Sequence, residues 1–290
     1  MLLSAKDLTI RFGGVVALNR VSFEVDSDSI TALIGPNGAG KTTAFNCITG
    51  FYRANSGQLT LKRAGHPELD LLRILGEDFQ PGDFFDPRAF SMRLYYKMFG
   101  GAHRVSRAGI ARTFQNIRLF KEMTAMENLL VAQRHRVNHN LLSGFLQTTA
   151  FRNAEQEAIE QAVKWLEFFE ILPDANRLAG ELPYGDQRRL EIARALCTDP
   201  ILICLDEPAA GLNPRETEGL NAHIRQLRDQ FNLTVFLIEH DMGLVMDISD
   251  KVVVLDHGEV IASGTPQQIQ NDEAVLRAYL GVADGEEIDR

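Results

Sequence analysis

At 290 residues, the chain is long enough for one large or two closely joined domains with a sizeable buried core. Apolar residues make up 45% and charged residues 24%, ordinary globular values that exclude wholesale disorder, while a net charge of −9 argues against a dedicated nucleic-acid binder. No apolar run approaches the length of a bilayer span, no secretory leader pattern opens the chain, and Cys47, Cys197 and Cys204 show no paired spacing, so a cytosolic protein with buried, reduced thiols is expected.

In chain order, Leu8 and Ile10, then Val21, Phe23 and Val25, alternate apolar and polar positions, predicting strands joined by turns at Gly13-Gly14 and Asp26 to Ser29. Ile30 to Ile34 is a short apolar strand running into a glycine-rich loop, and Thr42 to Thr49 a helix stopped by Gly50. Gln58 to Lys62 is another strand. Residues 64 to 105 mix Gly, Pro and Asp with Phe79, Phe84, Phe85, Phe90, Tyr95 and Tyr96, and only a short helix around Leu69 to Leu75 stands out.

Helical spacing covers Met126 to Arg134 and Asn153 to Phe169, with Ala158, Val163, Leu166 and Phe169 as an inward stripe and Trp165 as a packing residue. The chain then alternates. Leu190 to Cys197 reads as helix, Ile201 to Leu205 as buried strand, Arg215 to Gln230 as helix and Thr234 to Ile238 as strand; Val252 to Leu255 and Val260 to Ala262 flank His257-Gly258 as a hairpin. This order predicts a mainly parallel α/β core with a helical insertion and a β-rich N-terminal edge.

Gly35-Pro36-Asn37-Gly38-Ala39-Gly40-Lys41-Thr42-Thr43 matches the phosphate-loop pattern between a strand and a helix. Glycines let successive backbone N–H groups turn toward one phosphate chain, and the following helix adds the positive end of its dipole. Lys41 is expected against the β- and γ-phosphates of ATP, with the Thr42 hydroxyl on Mg²⁺. Ile201 to Glu207 is a buried strand ending in two carboxylates. Asp206 is assigned to the metal through its water shell and Glu207 to the attacking water as general base, on the expectation that this strand lies beside the one feeding the loop. His240 follows the strand Val235 to Ile238, either capping the next helix or bonding the γ-phosphate.

With these elements in order, the chain resembles the ATP-binding cassette (ABC) family of transport ATPases over nearly its whole length. Thr113-Phe114-Gln115 looks like the family's Q-loop, Gly185 to Leu196 like the signature segment and its helix, Ala209 to Pro214 like the D-loop, and Phe12 occupies the position of the adenine-stacking aromatic. The resemblance implies a phosphate-loop NTPase fold, RecA-like, with an N-terminal antiparallel β-subdomain and an inserted helical subdomain of roughly residues 116 to 182. It implies that Gln115 senses magnesium and γ-phosphate. It also implies that Gly185, Asp186 and Gln187 close on the nucleotide of a second cassette. The cassette is expected to span residues 1 to 283, ahead of an acidic tail at 284 to 290.

Phe45 to Tyr52, Arg118-Leu119-Phe120, Glu127 to Gln133, Tyr184 to Arg189, Ile238 to Met242 and Arg277 to Gly281 look like branched-chain amino acid importers, and within those like the larger of two cassettes. That likeness implies ATP hydrolysis on the cytoplasmic face of the membrane, peripheral to two multi-span permease subunits, with a second cassette, an external solute-binding protein and no nucleic acid. Cassettes of urea, amide or lipopolysaccharide systems are sibling readings, and a soluble cassette acting on DNA or ribosomes is a more distant one. Three departures stand out. The signature reads Leu182-Pro183-Tyr184-Gly185-Asp186, so Pro183 offers neither hydroxyl nor N–H. Asn213 stands where the D-loop has aspartate, and residues 64 to 105 are longer than the family's usual segment, most simply as decoration of the β-rich edge.

Overall fold

The computed structural model describes residues 1–63, 65–76, 90–91, 94–95, 100–133 and 149–280. Phe79, Phe84, Phe85, Tyr96, Arg134, Gly281 and the tail from 284 lie outside these residues.

β1 (Leu3–Phe12) and β2 (Val15–Val25) form the expected hairpin, with Gly13 at φ 59 in its turn. β1 also pairs antiparallel with β4 (Ser56–Leu61), and β4 with the short β5 (Leu69–Asp70), giving the order β2-β1-β4-β5. Asp70 ends β5 and caps the helix Leu71–Ile74, its carboxylate accepting from the amides of Leu72 and Arg73.

The second sheet contains β3 (Ile30–Ile34), β6 (Ile110–Arg112), β7 (Leu202–Asp206), β8 (Thr234–Ile238), β9 (Lys251–Asp256) and β10 (Glu259–Gly264). Its order is β10-β9-β3-β8-β7-β6, parallel throughout except for the β9–β10 hairpin. One expectation fails here: β7 does not adjoin β3, because β8 lies between them. β7 leads through the helix Pro214–Phe231 into β8, and such a crossover adds β8 directly beside β7, on its inner side. The acidic strand end therefore stands two strand spacings, about 10 Å, from the loop strand.

Even fully buried strands sort their side chains by alternation. Ile34, Ile203, Leu205, Val235 and Leu237 join one apolar cluster, while Leu33, Leu202, Cys204, Phe236 and Ile238 join the other. The second cluster holds the helix Lys41–Ile48 between the two sheets, with Phe236 stacked on Phe45 at 6.1 Å and on Phe23 at 5.7 Å. On the other face pack the helices Tyr184–Leu196, Pro214–Phe231 and Met242–Ile248, and the same cluster continues into the helices Ala125–Ala132 and Thr149–Phe168. In the inward stripe, Ala158, Leu166 and Phe169 are buried as expected. Val163 is only half-buried, its place taken by Ala162 and Trp165, and the Trp165 ring packs on Phe231 at 5.0 Å. Cys47, Cys197 and Cys204 are buried.

Candidate functional site

β3 empties into the loop 35–40, where Gly35, Gly38 and Gly40 adopt φ values of 149, 84 and 99. Gly35 has no room for a side chain: a Cβ there would fall 2.0 Å from the Leu255 carbonyl oxygen. Gly40 takes the N-cap position of the helix Lys41–Ile48 without a side-chain cap, so the first-turn amides stay open to a ligand. Lys41 is buried, and its ammonium donates to the carbonyls of Gly35 at 2.7 Å and Pro36 at 2.9 Å. Burial lowers its pKa, and the Glu207 charge opposes that shift.

The loop forms the floor of an open cleft of about 520 Å³. Asn37, Gly38, Ala39, Gly40, Lys41, Thr42 and Thr43 line it, joined by Gln115 and Glu207 from across the sheet and by Val15, Val16 and Gly258 at the rim. Glu207 sits at φ 46 just past β7, its amide held by the Ile238 carbonyl at 3.0 Å. Its carboxylate accepts from the Gln115 carboxamide at 2.9 Å, and His240 Nδ1 lies 3.7 Å away. His240 itself is exposed, whereas Glu239 before it is buried and accepts from the amides of Ala209 at 3.0 Å and His240 at 3.2 Å. Because β8 ends between β3 and β7, Glu239 and His240 emerge between the loop and the acidic pair.

Asp206, at the end of β7 beside Glu207, is paired with Arg112, whose Nη2 lies 3.2 Å from its carboxylate. Burial raises the Asp206 pKa and Arg112 pulls it back. The Thr42 hydroxyl, the Gln115 carboxamide oxygen and the Asp206 carboxylate are hard oxygen donors. They are few enough to leave positions for water and phosphate, which fits Mg²⁺.

A family model described as "ABC transporter" matches residues 18–210. The chain belongs to the ABC transporter family. A second model, "Branched-chain amino acid ATP-binding cassette transporter", matches residues 259–285 of the cassette. The cassette is 49% identical to the high-affinity branched-chain amino acid transport ATP-binding protein BraF of Pseudomonas aeruginosa, over 97% of this chain and 98% of BraF. It is 48% identical to LivG of Escherichia coli, over 97% of this chain and 98% of LivG. Among solved structures it superposes on the ADP conformation of MJ1267, an ATP-binding cassette of an ABC transporter, with a TM-score of 0.73 at 31% identity, covering 97% and 98% of the two chains.

Within the cassette, then, the phosphate loop, Gln115 and Glu207 converge on one cleft. Phe12, Gly35, Pro36, Asp206, His240 and the signature residues do not line it. Phe12 is 48% exposed and sets its ring edge against Tyr52 at 5.2 Å, while Val15 and Val16 of the adjoining strand reach the cleft instead. Gly185, Asp186 and Gln187 open the helix Tyr184–Leu196 away from the cleft, Gly185 buried against Glu216 and the other two half-buried: Asp186 pairs with Arg189 at 2.6 Å and Gln187 donates to the Leu182 carbonyl at 2.8 Å. Asn213 caps the helix Pro214–Phe231 in a reciprocal box with Glu216, which gives this departure from aspartate a structural role. In the long segment, Tyr95 accepts from Arg104 at 2.7 Å under a cation–π contact at 4.8 Å.

Several site residues went unmarked in the sequence reading. Arg112 donates to Asn46 at 2.6 Å and Thr49 at 3.0 Å as well as to Asp206, within reach of the rings of Phe45, Phe51 and Phe114. His257 and Gly258 reach the cleft from the β9–β10 turn. The Tyr279 hydroxyl, on the helix Glu273–Leu280, meets the Gly35 backbone, so burial raises its pKa while Gly35 lowers it. A short arginine-bearing strand before the Q-loop was the signal available for Arg112.

Proposed function

We propose that this cassette binds ATP with Mg²⁺ in the cleft above the phosphate loop and couples its hydrolysis to the uptake of branched-chain amino acids. The observation that carries the chemistry is the convergence of Lys41, Gln115 and Glu207 on one cleft with open helix amides. The solute class leans on the relatives and on the match over residues 259–285.

The loop amides and Lys41 hold the β- and γ-phosphates, while the base lies at the rim by Val15 and Val16, where Phe12 stacks on it only by turning from Tyr52. Thr42 and Gln115, with Asp206 acting through the metal's water shell, would hold Mg²⁺, which when bound would neutralise charge on the phosphates. Glu207 takes a proton from water as the water oxygen bonds to the γ-phosphorus. The bond to the β–γ bridging oxygen breaks with its electron pair going to ADP, and phosphate leaves. His240, 3.7 Å from Glu207, bonds the γ-phosphate oxygens.

Gly185, Asp186 and Gln187 serve the nucleotide of a second cassette, since they lie outside this cleft. The cassette sits peripherally on the cytoplasmic face of the membrane, beneath two multi-span permease subunits that work with an external solute-binding protein. No helix among the described residues is long and apolar enough to cross a membrane.

Two measurements test this reading. Glu207→Gln should retain ATP binding and slow turnover by about 10²–10⁴, the range for loss of a general base; near-normal turnover removes Glu207 from that role. Uptake of labelled leucine, isoleucine or valine into vesicles carrying the reconstituted complex tests the solute. Uptake of urea or an amide instead would move the cassette to a sibling system.

A further inference from the structure

Arg188 is fully buried, and its guanidinium is directed at backbone outside its own helix. Nη1 donates to the Phe114 carbonyl at 2.8 Å and to the Glu191 carboxylate at 3.1 Å, while Nη2 donates to the Gln115 carbonyl at 2.7 Å. Glu191, also buried, accepts the Arg118 amide at 3.1 Å. A third arm runs from Nη2 to the Tyr184 hydroxyl at 3.4 Å, and that hydroxyl donates to the Ala210 carbonyl at 3.2 Å.

The last backbone hydrogen bond tying this segment to the sheet runs from the Thr113 amide to the Cys204 carbonyl at 2.9 Å. Beyond it, Arg188 and Glu191 hold the carbonyls of Phe114 and Gln115 and the amide of Arg118. Gln115 is thus pinned at both ends, by Arg188 at its carbonyl and by Glu207 at its carboxamide. Stability alone explains this poorly. A buried ion pair is often no better than an apolar pair of like volume, and Arg188 Nε has no partner among the described residues.

We propose that Arg188, with Glu191, is a positioning residue for ATP hydrolysis: it sets the backbone at 114–118 so that Gln115 reaches Glu207. It also ties that placement to the helix start at Tyr184 and the loop at Ala210. The proposal rests on the reading of Glu207 as general base.

Removing Arg188 alone leaves the Glu191 charge buried without its partner and endangers folding. The paired apolar variant R188M/E191M avoids this. In the full-length chain it should melt within a few degrees of the parent and bind a fluorescent ATP analogue with nearly parental affinity, yet lose about tenfold in kcat with little change in KM, as expected for a misplaced group. R188K, a single point donor unable to serve two carbonyls in fixed geometry, should fall between the two. In a Q115A background, R188M/E191M should cost less than about threefold further, because both changes act through Gln115. Parental kcat in the folded double variant, or full multiplication of its loss with that of Q115A, overturns the proposal. E207Q in the same assays isolates the base assignment, since it leaves the Arg188 contacts untouched and the cycle with Q115A readable.

Discussion

Arg112 holds the Asp206 carboxylate at 3.2 Å, with only 11% and 8% of the two side chains exposed. The same guanidinium reaches Asn46 and Thr49 on the phosphate-loop helix. One residue on β6 therefore joins the acidic strand to the helix that follows the loop.

Arg112→Met should strip Asp206 of its countercharge and cost about 3 kcal/mol of stability, the scale for breaking a buried pair from one side. R112M/D206N should lose less than the sum of the single changes, because no charge is left stranded. Urea unfolding measures both, and parental stability in R112M contradicts the account.

The phosphate loop offers an internal comparison between two of its glycines. Gly35→Ala drives a Cβ to 2.0 Å from the Leu255 carbonyl oxygen at φ 149, whereas Gly38→Ala at φ 84 meets nothing within 4 Å. G35A should weaken ATP binding by more than about tenfold, G38A by the smaller penalty of left-handed strain alone, about 1 kcal/mol. Calorimetric titration with ATP ranks them, and equal losses would show that the Leu255 contact does not constrain the loop.

Glu239 provides a pH test of stability. Burial raises its pKa above the ordinary 4.5, opposed by the amides of Ala209 and His240. A carboxyl raised in the fold contributes stability below its unfolded pKa and loses that contribution as pH rises through the folded value. Glu239→Gln cannot ionise; its single amide oxygen serves one of the two amides, a loss that does not vary with pH. Relative to the parent it should be more stable at pH 8 than at pH 4, the gap closing on acidification. Thermal melts across that range check the sign, and a gap that widens toward acid refutes it.

The thiols should be silent in the native state. Burial pushes the Cys47 thiol up to about 12 and raises Cys204 as well, while Cys197 is buried too. At pH 8 a thiol reagent should label none of them until denaturant is added. Rapid labelling of the folded chain would show that one of them is accessible.

What the sequence disclosed depended on how local each signal was. The loop 35–43 is written within a few consecutive residues, so it was legible; the capping boxes at Thr124 and Asn213 are just as local but were not read from the sequence. The carboxylates at 206–207 were legible as a strand end. Their distance from the loop was not, because the insertion of β8 is a matter of strand order, which no short window records. Arg112 lies in an ordinary run of sequence, and Arg188 and Glu191 lie in the signature segment without any local mark of their own roles. Their partners Asp206, Phe114, Gln115 and Arg118 lie 73 to 94 residues away, so burial and role emerge only once the chain is folded.

β6 contributes three paired residues, bonded to β7 on one side at the sheet's edge. Gln115 follows directly from that outer strand, whereas Glu207 rises from an interior one flanked on both sides. Withdrawing the carboxamide from the carboxylate thus leaves the central ladder intact. The interior strands form a continuous plate and Gln115 hangs from its rim, so substitutions at Gln115 act on the cleft without touching the central ladder.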